Sequence, residues 1–148
     1  MADYHYTECG LDNVVIAGVS FAKDDTGEAV VSIPNINGLH RAIALGIIKR
    51  KGAMSGSELR FLRSEMGMTQ AELAALIHRE PLAVSRWERD EFKKDSNAET
   101  IIRLIAAEKL GLPMDEPMSE ISGWSIPRAV EAPIRIDGSN PDNYLVAA

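Results

Sequence analysis

Residues 68–90, MTQAELAALIHREPLAVSRWERD, carry two short helical patterns separated by about four residues. Thr69 with Glu72 three positions on is a capping box, in which each end satisfies a backbone donor of the other. Pro81 suits the first turn of the second helix, where its missing N–H would have no helical partner. Val84 and Trp87, one turn apart, make a single narrow apolar stripe. Ala74 supplies the small residue that two closely crossing helices require. A stretch built this way can be neither one long helix nor a strand. The sharp turn falls on His78, Arg79 and Glu80, where a glycine would be the ordinary choice.

The rest of the chain frames this pair. Its 148 residues suit one domain, or one small domain with an attached arm. Cys9 is the only cysteine, which excludes an intramolecular disulfide and a multi-cysteine zinc site. The polar opening MADYHYTEC does not read as a secretory signal, and no apolar run reaches 18 residues, so a cytoplasmic protein without membrane contact is expected. Net charge is −6, but it is distributed unevenly: −5 over residues 1–40, +3 over 41–103 and −4 over 104–148. Only the middle is positive. Acidic flanks around a basic reader and ordinary mixed surface charge are both compatible with that pattern.

Residues 12–21 and 28–33 are β-branched runs separated by a loop near Asp24–Gly27, which predicts a hairpin ended by Pro34. Residues 39–52 switch to helical spacing, with Leu39, Ala42, Ile43 and Ile47 inward and Gly52 as the stop. Lys49, Arg50 and Lys51 would complement the dipole of that helix end or, alternatively, contact phosphate. A further helix starts at Ser55 or Ser57, with Leu59, Leu62 and Met66 inward and Gly67 as terminator. After the reader pair, SNAETIIRLIAAEKLG predicts a helix capped by Ser96 or Asn97, with Ile101, Leu104 and Ile105 inward. Prolines at 113, 117, 127, 133 and 141 forbid a long helix beyond Leu112. The segment 113–148 is therefore expected to be an extended tail, either disordered alone or ordered against a partner. The domain reading is 1–52 for a β-hairpin and helix that dimerise or bind a partner, 53–112 for the helical domain, and 113–148 for the tail.

TQAELAALI followed by VSRWERD resembles the helix-turn-helix of the phage-repressor (Cro/C1, or Xre) family, with Gln70, Glu72, Leu73, Ala74, Val84, Trp87 and Glu88 at family spacing. MSGSELRFLRSEMGMTQAELA and YHYTECGLDNVVIAGV resemble a narrower group, the MqsA-like and HigA-like antitoxins and their regulator relatives. The resemblance covers about residues 1–110 and implies an all-α lambda-repressor-like DNA-binding domain. It implies phosphate contact by Gln70, Lys93 and Lys94, base contact by Leu82 and Arg86 with Pro81 beside them, and a structural ion pair between Glu88 and Arg63 or Arg60. Arg79 and Arg89 are further candidates for the DNA backbone. Zinc binding does not carry over, because four cysteines hold that metal in the MqsA type and only Cys9 exists here.

The chain departs from the family at three adjacent positions. His78 stands where the turn needs a left-handed residue, at a cost of about 1 kcal/mol. Arg79 replaces a small apolar residue, so either its stem packs while its guanidinium reaches the DNA backbone, or the turn is remodelled. Glu80 replaces a hydroxyl residue that caps the second helix; a carboxylate there suits the helix dipole but repels phosphate. Trp87 reads as core, and His40 as a surface residue opening a helix. His5 with Tyr4, Tyr6 and Cys9 offers too few soft ligands for a metal or nucleophile site.

These observations predict an α+β protein without a cofactor and without catalytic residues. The expected function is sequence-specific binding of double-stranded DNA by a homodimer at a palindromic operator. Autorepression in a toxin–antitoxin or phage-like module is the setting the resemblance implies. The competing reading is an interaction module whose acidic parts neutralise a basic partner such as a toxin, with DNA binding secondary.

Overall fold

The computed structural model describes residues 2–23, 25–125 and 133–147. Asp24 of the expected hairpin loop and 126–132 of the expected tail lie outside the described residues. The fold is α+β, with three strands, then six helices, then two further strands among the described residues, and the chain divides into two compact units. One comprises Met1–Gly46 with Ala132–Ala148; the other is Ile47–Glu131. Among the described residues, no helix is long and apolar enough to cross a membrane.

The first unit is a sheet carrying one helix. Strands β1 (Ala2–His5), β2 (Val14–Lys23), β3 (Ala29–Ser32), β4 (Ile134–Asp137) and β5 (Leu145–Val146) run in the order β1-β2-β4-β5, with β3 also on β2. The hairpin is the antiparallel β2–β3 pair, Ser20 opposite Ser32 through Lys23 opposite Ala29. Its partner β1 was not anticipated, since four residues carry too little alternation to be read. Register shifts between Ala2 and Tyr4, opposite a stretch of β2 that contains Gly18 at φ 74°. Glycine takes that bulge conformation without a Cβ penalty.

The largest correction concerns the tail. Residues 134–137 are not an extended arm but a parallel strand on β2, Val14 opposite Ile134 through Ala17 opposite Asp137. Ile134 and Ile136 are buried while Arg135 and Asp137 face out, the alternation a half-covered strand requires. Farther upstream, 118–124 is not extended either: Met118–Trp124 is helical, started at Pro117 and held by buried Ile121 and Trp124. The first helix of the chain, α1 (Ile36–Ile48), begins three residues before the expected Leu39. The Asn35 side chain accepts from Gly38 N–H at 3.2 Å and so caps the helix N-terminus. Leu39, Ala42, Ile43 and Ala44 are buried against the sheet, where a Cβ on Gly46 would come within 3.0 Å of Ile134 Cγ2. His40 is not a surface residue: it is half-buried and its Nε2 lies 2.9 Å from the Tyr6 hydroxyl.

The second unit holds α2 (Gly56–Glu65), α3 (Gln70–Leu76), α4 (Pro81–Glu88), α5 (Ser96–Leu110) and α6 (Met118–Trp124). Capping boxes open α2 (Ser55 with Glu58) and α3 (Thr69 with Glu72). Asp95, rather than Ser96 or Asn97, caps α5 by accepting from Asn97 N–H at 3.0 Å. Four helices close alike, each with one left-handed residue followed by a six-to-one hydrogen bond: Met68 to Arg63, Arg79 to Ala74, Glu91 to Arg86 and Leu112 to Ala107. Gly67 and Gly111 serve two of these turns, whereas His78 (φ 57°) and Asp90 (φ 56°) serve the ends of α3 and α4.

On α5 the apolar phase differs from expectation. Ile101 is exposed, Leu104 and Ile105 are half-buried, and Ala98, Ile102, Ala106 and Ala107 face inward. The cause is a pair of charges at the core, Glu99 and Arg103, both 1% exposed or less. Arg103 donates to Ile48 O (2.8 Å), Arg50 O (2.8 Å), Gly52 O (2.5 Å) and Glu99 Oε2 (3.2 Å). It thereby does for the end of α1 what Lys49–Lys51 were expected to do, and α1 stops at Ile48, not Gly52. Lys49 and Arg50 pair with Glu116 (2.9 Å) and Glu58 (2.5 Å), and Lys51 is exposed.

Candidate nucleic-acid interface

The geometry of α3 and α4 follows from the turn between them. Ile77 ends α3, and His78 turns left-handed so that Arg79 N–H reaches back to Ala74 O at 2.9 Å. The chain then enters α4 through Glu80, whose extended backbone (ψ 147°) places Pro81 at the first helical position. Leu73, Ala74, Ile77, Val84 and Trp87 are buried together at the seam of this unit. Burying four large side chains of that kind stabilises the pair by about 1.5–3 kcal/mol each, far more than the cost of a left-handed histidine.

The seat of α4 is set by α2. Gly56 opens α2, and a Cβ there would lie 2.4 Å from Glu88 O and 2.6 Å from Trp87 O, so the end of α4 rests directly on the backbone of Gly56. Asp90 locks the contact by accepting from Gly56 N–H at 2.9 Å. Three successive N–H groups are held by carboxylates here: Met54 by Glu99 (3.0 Å), Ser55 by Glu58 (2.7 Å) and Gly56 by Asp90. A second clamp holds α4 from the side. Arg63 Nε donates to Glu88 Oε2 at 2.6 Å and its Nη2 to Oε1 at 3.0 Å, while Nη1 reaches Met68 O at 2.9 Å. The Glu88 carboxylate keeps the Arg63 guanidinium above its ordinary pKa. Arg60 is exposed and takes no part in the clamp.

What remains outward on α4 is a small, mostly apolar and basic face. Pro81 and Leu82 are exposed, Leu82 by 52%, and Ser85 and Arg86 are half-buried. Arg89, the C-cap, is exposed and pairs with Glu91 at 3.3 Å. Arg79 is bonded to Asp95, the residue that caps α5. Glu80 caps nothing with its side chain and stands exposed. Arg86 differs from both neighbouring arginines. Its guanidinium lies over the ring of Phe92, 5.1 Å from the centroid, and no carboxylate or carbonyl among the described residues accepts from it.

Of the other residues singled out from the sequence, Gln70 is half-buried, and its amide donates to Glu88 Oε1 at 3.1 Å. Lys93 is exposed. Lys94 is half-buried, and burial lowers its pKa against the opposing pull of Glu99, Asp90 and Glu58. On α4 and its C-cap, Pro81, Leu82 and Arg89 are thus exposed and Arg86 half-buried, with half-buried Lys94 in the segment that follows. Sequence reasoning did not single out Phe92, Asp95 or Gly56. Phe92 follows Arg86 by six positions, a spacing that no regular helix or strand brings together; the left-handed Asp90 reverses the chain and creates the contact.

In the other unit, His5 Nε2 lies 2.5 Å from Asp12 O and Tyr4 is bonded to Glu8. Among the described residues, no three His, Cys, Asp or Glu side chains are grouped so as to hold a metal ion. The chain matches no protein-family model, no curated protein and no solved structure.

Proposed function

We propose that the chain is a sequence-specific DNA-binding transcriptional regulator whose residues 53–112 form a lambda-repressor-like helix-turn-helix domain, with α4 entering the major groove. The observation that carries this reading is Arg86. On a face where Arg79 and Arg89 are each paired with a carboxylate, Arg86 alone keeps its N–H donors open. An arginine so placed can donate twice to guanine O6 and N7, a contact worth about 1–3 kcal/mol of base discrimination. Leu82 and Pro81 at the start of α4 offer apolar surface for a thymine methyl. Gln70, Arg79, Arg89 and Lys93 are the proposed backbone contacts, Arg79 and Arg89 exchanging an exposed carboxylate for phosphate. Surface pairs of that kind contribute about 0–1 kcal/mol, so the exchange costs little. A homodimer reading two half-sites about one helical turn apart, in an autorepressing antitoxin-like module, is the biological form proposed.

A salt titration against random-sequence duplex tests the reading. Three cationic phosphate contacts per protomer, Arg79, Arg89 and Lys93, predict that log K falls with log salt by a slope of roughly −3 for each half-site engaged. Glu80 exposed beside α4, and the net −6 charge, favour a second reading, an interaction module for a basic partner such as a toxin. Absence of binding at low salt selects that second reading.

A further inference from the structure

We propose that Phe92 is a positioning residue for base recognition: its ring holds the Arg86 guanidinium in place, so that guanine is read by a pre-set arginine rather than by a mobile one. The inference rests on the DNA-binding reading and extends it to a residue outside the reading helix. Phe92 is 57% exposed, so its ring is free to take a partner at the surface. The described residues place one specific partner on it, Arg86. The pairing follows from the end of α4, where the left-handed Asp90 sends the chain back and Glu91 N–H closes on Arg86 O at 3.0 Å. Phe92 therefore issues from a turn that is itself hydrogen-bonded to the backbone of the arginine it supports.

A cation over a ring uses the ring face and leaves the guanidinium N–H edges open. A carboxylate partner does the opposite, occupying the edges that a base needs, as Asp95 and Glu91 do for Arg79 and Arg89. Stacking also removes rotamer freedom before the duplex arrives, so less entropy is lost in forming the two base contacts. The expected consequence is specificity, with little change in non-specific affinity, since Phe92 carries no charge for phosphate.

The test uses the full chain and a duplex selected from a random library for tightest binding. Each guanine of that duplex is replaced in turn by 7-deazaguanine, which lacks the N7 acceptor. Wild type is expected to lose about tenfold or more at one guanine per half-site. In Arg86→Ala that loss disappears. In Phe92→Ala it shrinks by about two- to fivefold, the range of an exposed cation–π contact, while affinity for random duplex and its salt slope stay as in wild type. Phe92→Tyr restores the discrimination. Circular dichroism and melting temperature of both Phe92 variants are expected to match wild type, because the ring is outside the core. If Arg86→Ala abolishes guanine discrimination but Phe92→Ala leaves it intact, the positioning role is wrong and the reader stands. If Phe92→Ala raises affinity, the ring restrains Arg86 away from DNA, and the proposal is again wrong. No selected sequence, or one indifferent to Arg86, overturns the base-reading assignment together with this inference.

Discussion

Two arginines in the second unit, Arg86 and Arg103, show what the fold does with the same side chain. Arg103 is fully buried; its Nη1 and Nη2 donate to three carbonyls and Glu99, while its Nε finds no partner among the described residues. Arg86 sits at the outer face, stacked on a ring, with its donors open. The first is a structural fastener that ties the end of α1 to α5 within a core. The second has no hydrogen-bond acceptor among the described residues, which is the condition for meeting a ligand. The lesson is that charge alone says nothing of role; what matters is whether the protein itself uses up the donors.

The comparison breaks if the two arginines respond alike. Arg103→Met leaves Glu99 and three carbonyls buried without their donor, and is expected to destabilise by about 3–5 kcal/mol, read by urea unfolding. Arg86→Met in the same assay is expected to stay within about 0.5 kcal/mol, as a surface change outside any special feature does. Equal losses would mean that Arg86 is structural and that its proposed role fails.

Gly56→Ala sharpens the comparison by moving the platform under α4 without touching either arginine. The added methyl meets backbone oxygens at 2.4 and 2.6 Å, neither of which belongs to a flexible side chain. A loss of about 1–3 kcal/mol is expected, with weakened DNA binding at every sequence because the whole helix is displaced. Unchanged stability would show that α4 is not seated on Gly56.

The smallest effect concerns the turn. His78→Gly relieves a left-handed side-chain conformation at φ 57° but loosens the unfolded chain, so a gain of at most about 1 kcal/mol is expected from thermal melts. A marked loss would reveal a contact of the imidazole that the turn geometry alone does not require.

Much of the second unit was legible in the sequence because its signals are local. Thr69 and Glu72 satisfy each other's backbone within four residues, and Pro81 tolerates only the first turn of a helix. Val84 and Trp87 fall on one side by helical geometry alone. The α5 phase was misread for a physical reason: apolar periodicity assigns charges to solvent, and only the converging carbonyls of Ile48, Arg50 and Gly52 make burial of Arg103 favourable.

By itself the sequence determined the elements whose hydrogen bonds close over a few residues: the β2–β3 hairpin, the capping box of α3, the left-handed turn and the two short helices around it. Tertiary structure alone decided that Ile134–Asp137 lies parallel to Val14–Ala17, that a glycine at 56 bears the weight of α4, and which arginine keeps its donors open. A parallel pairing or a buried ion network gains its energy from groups distant along the chain. No short window of residues contains both partners, and so none can report the outcome.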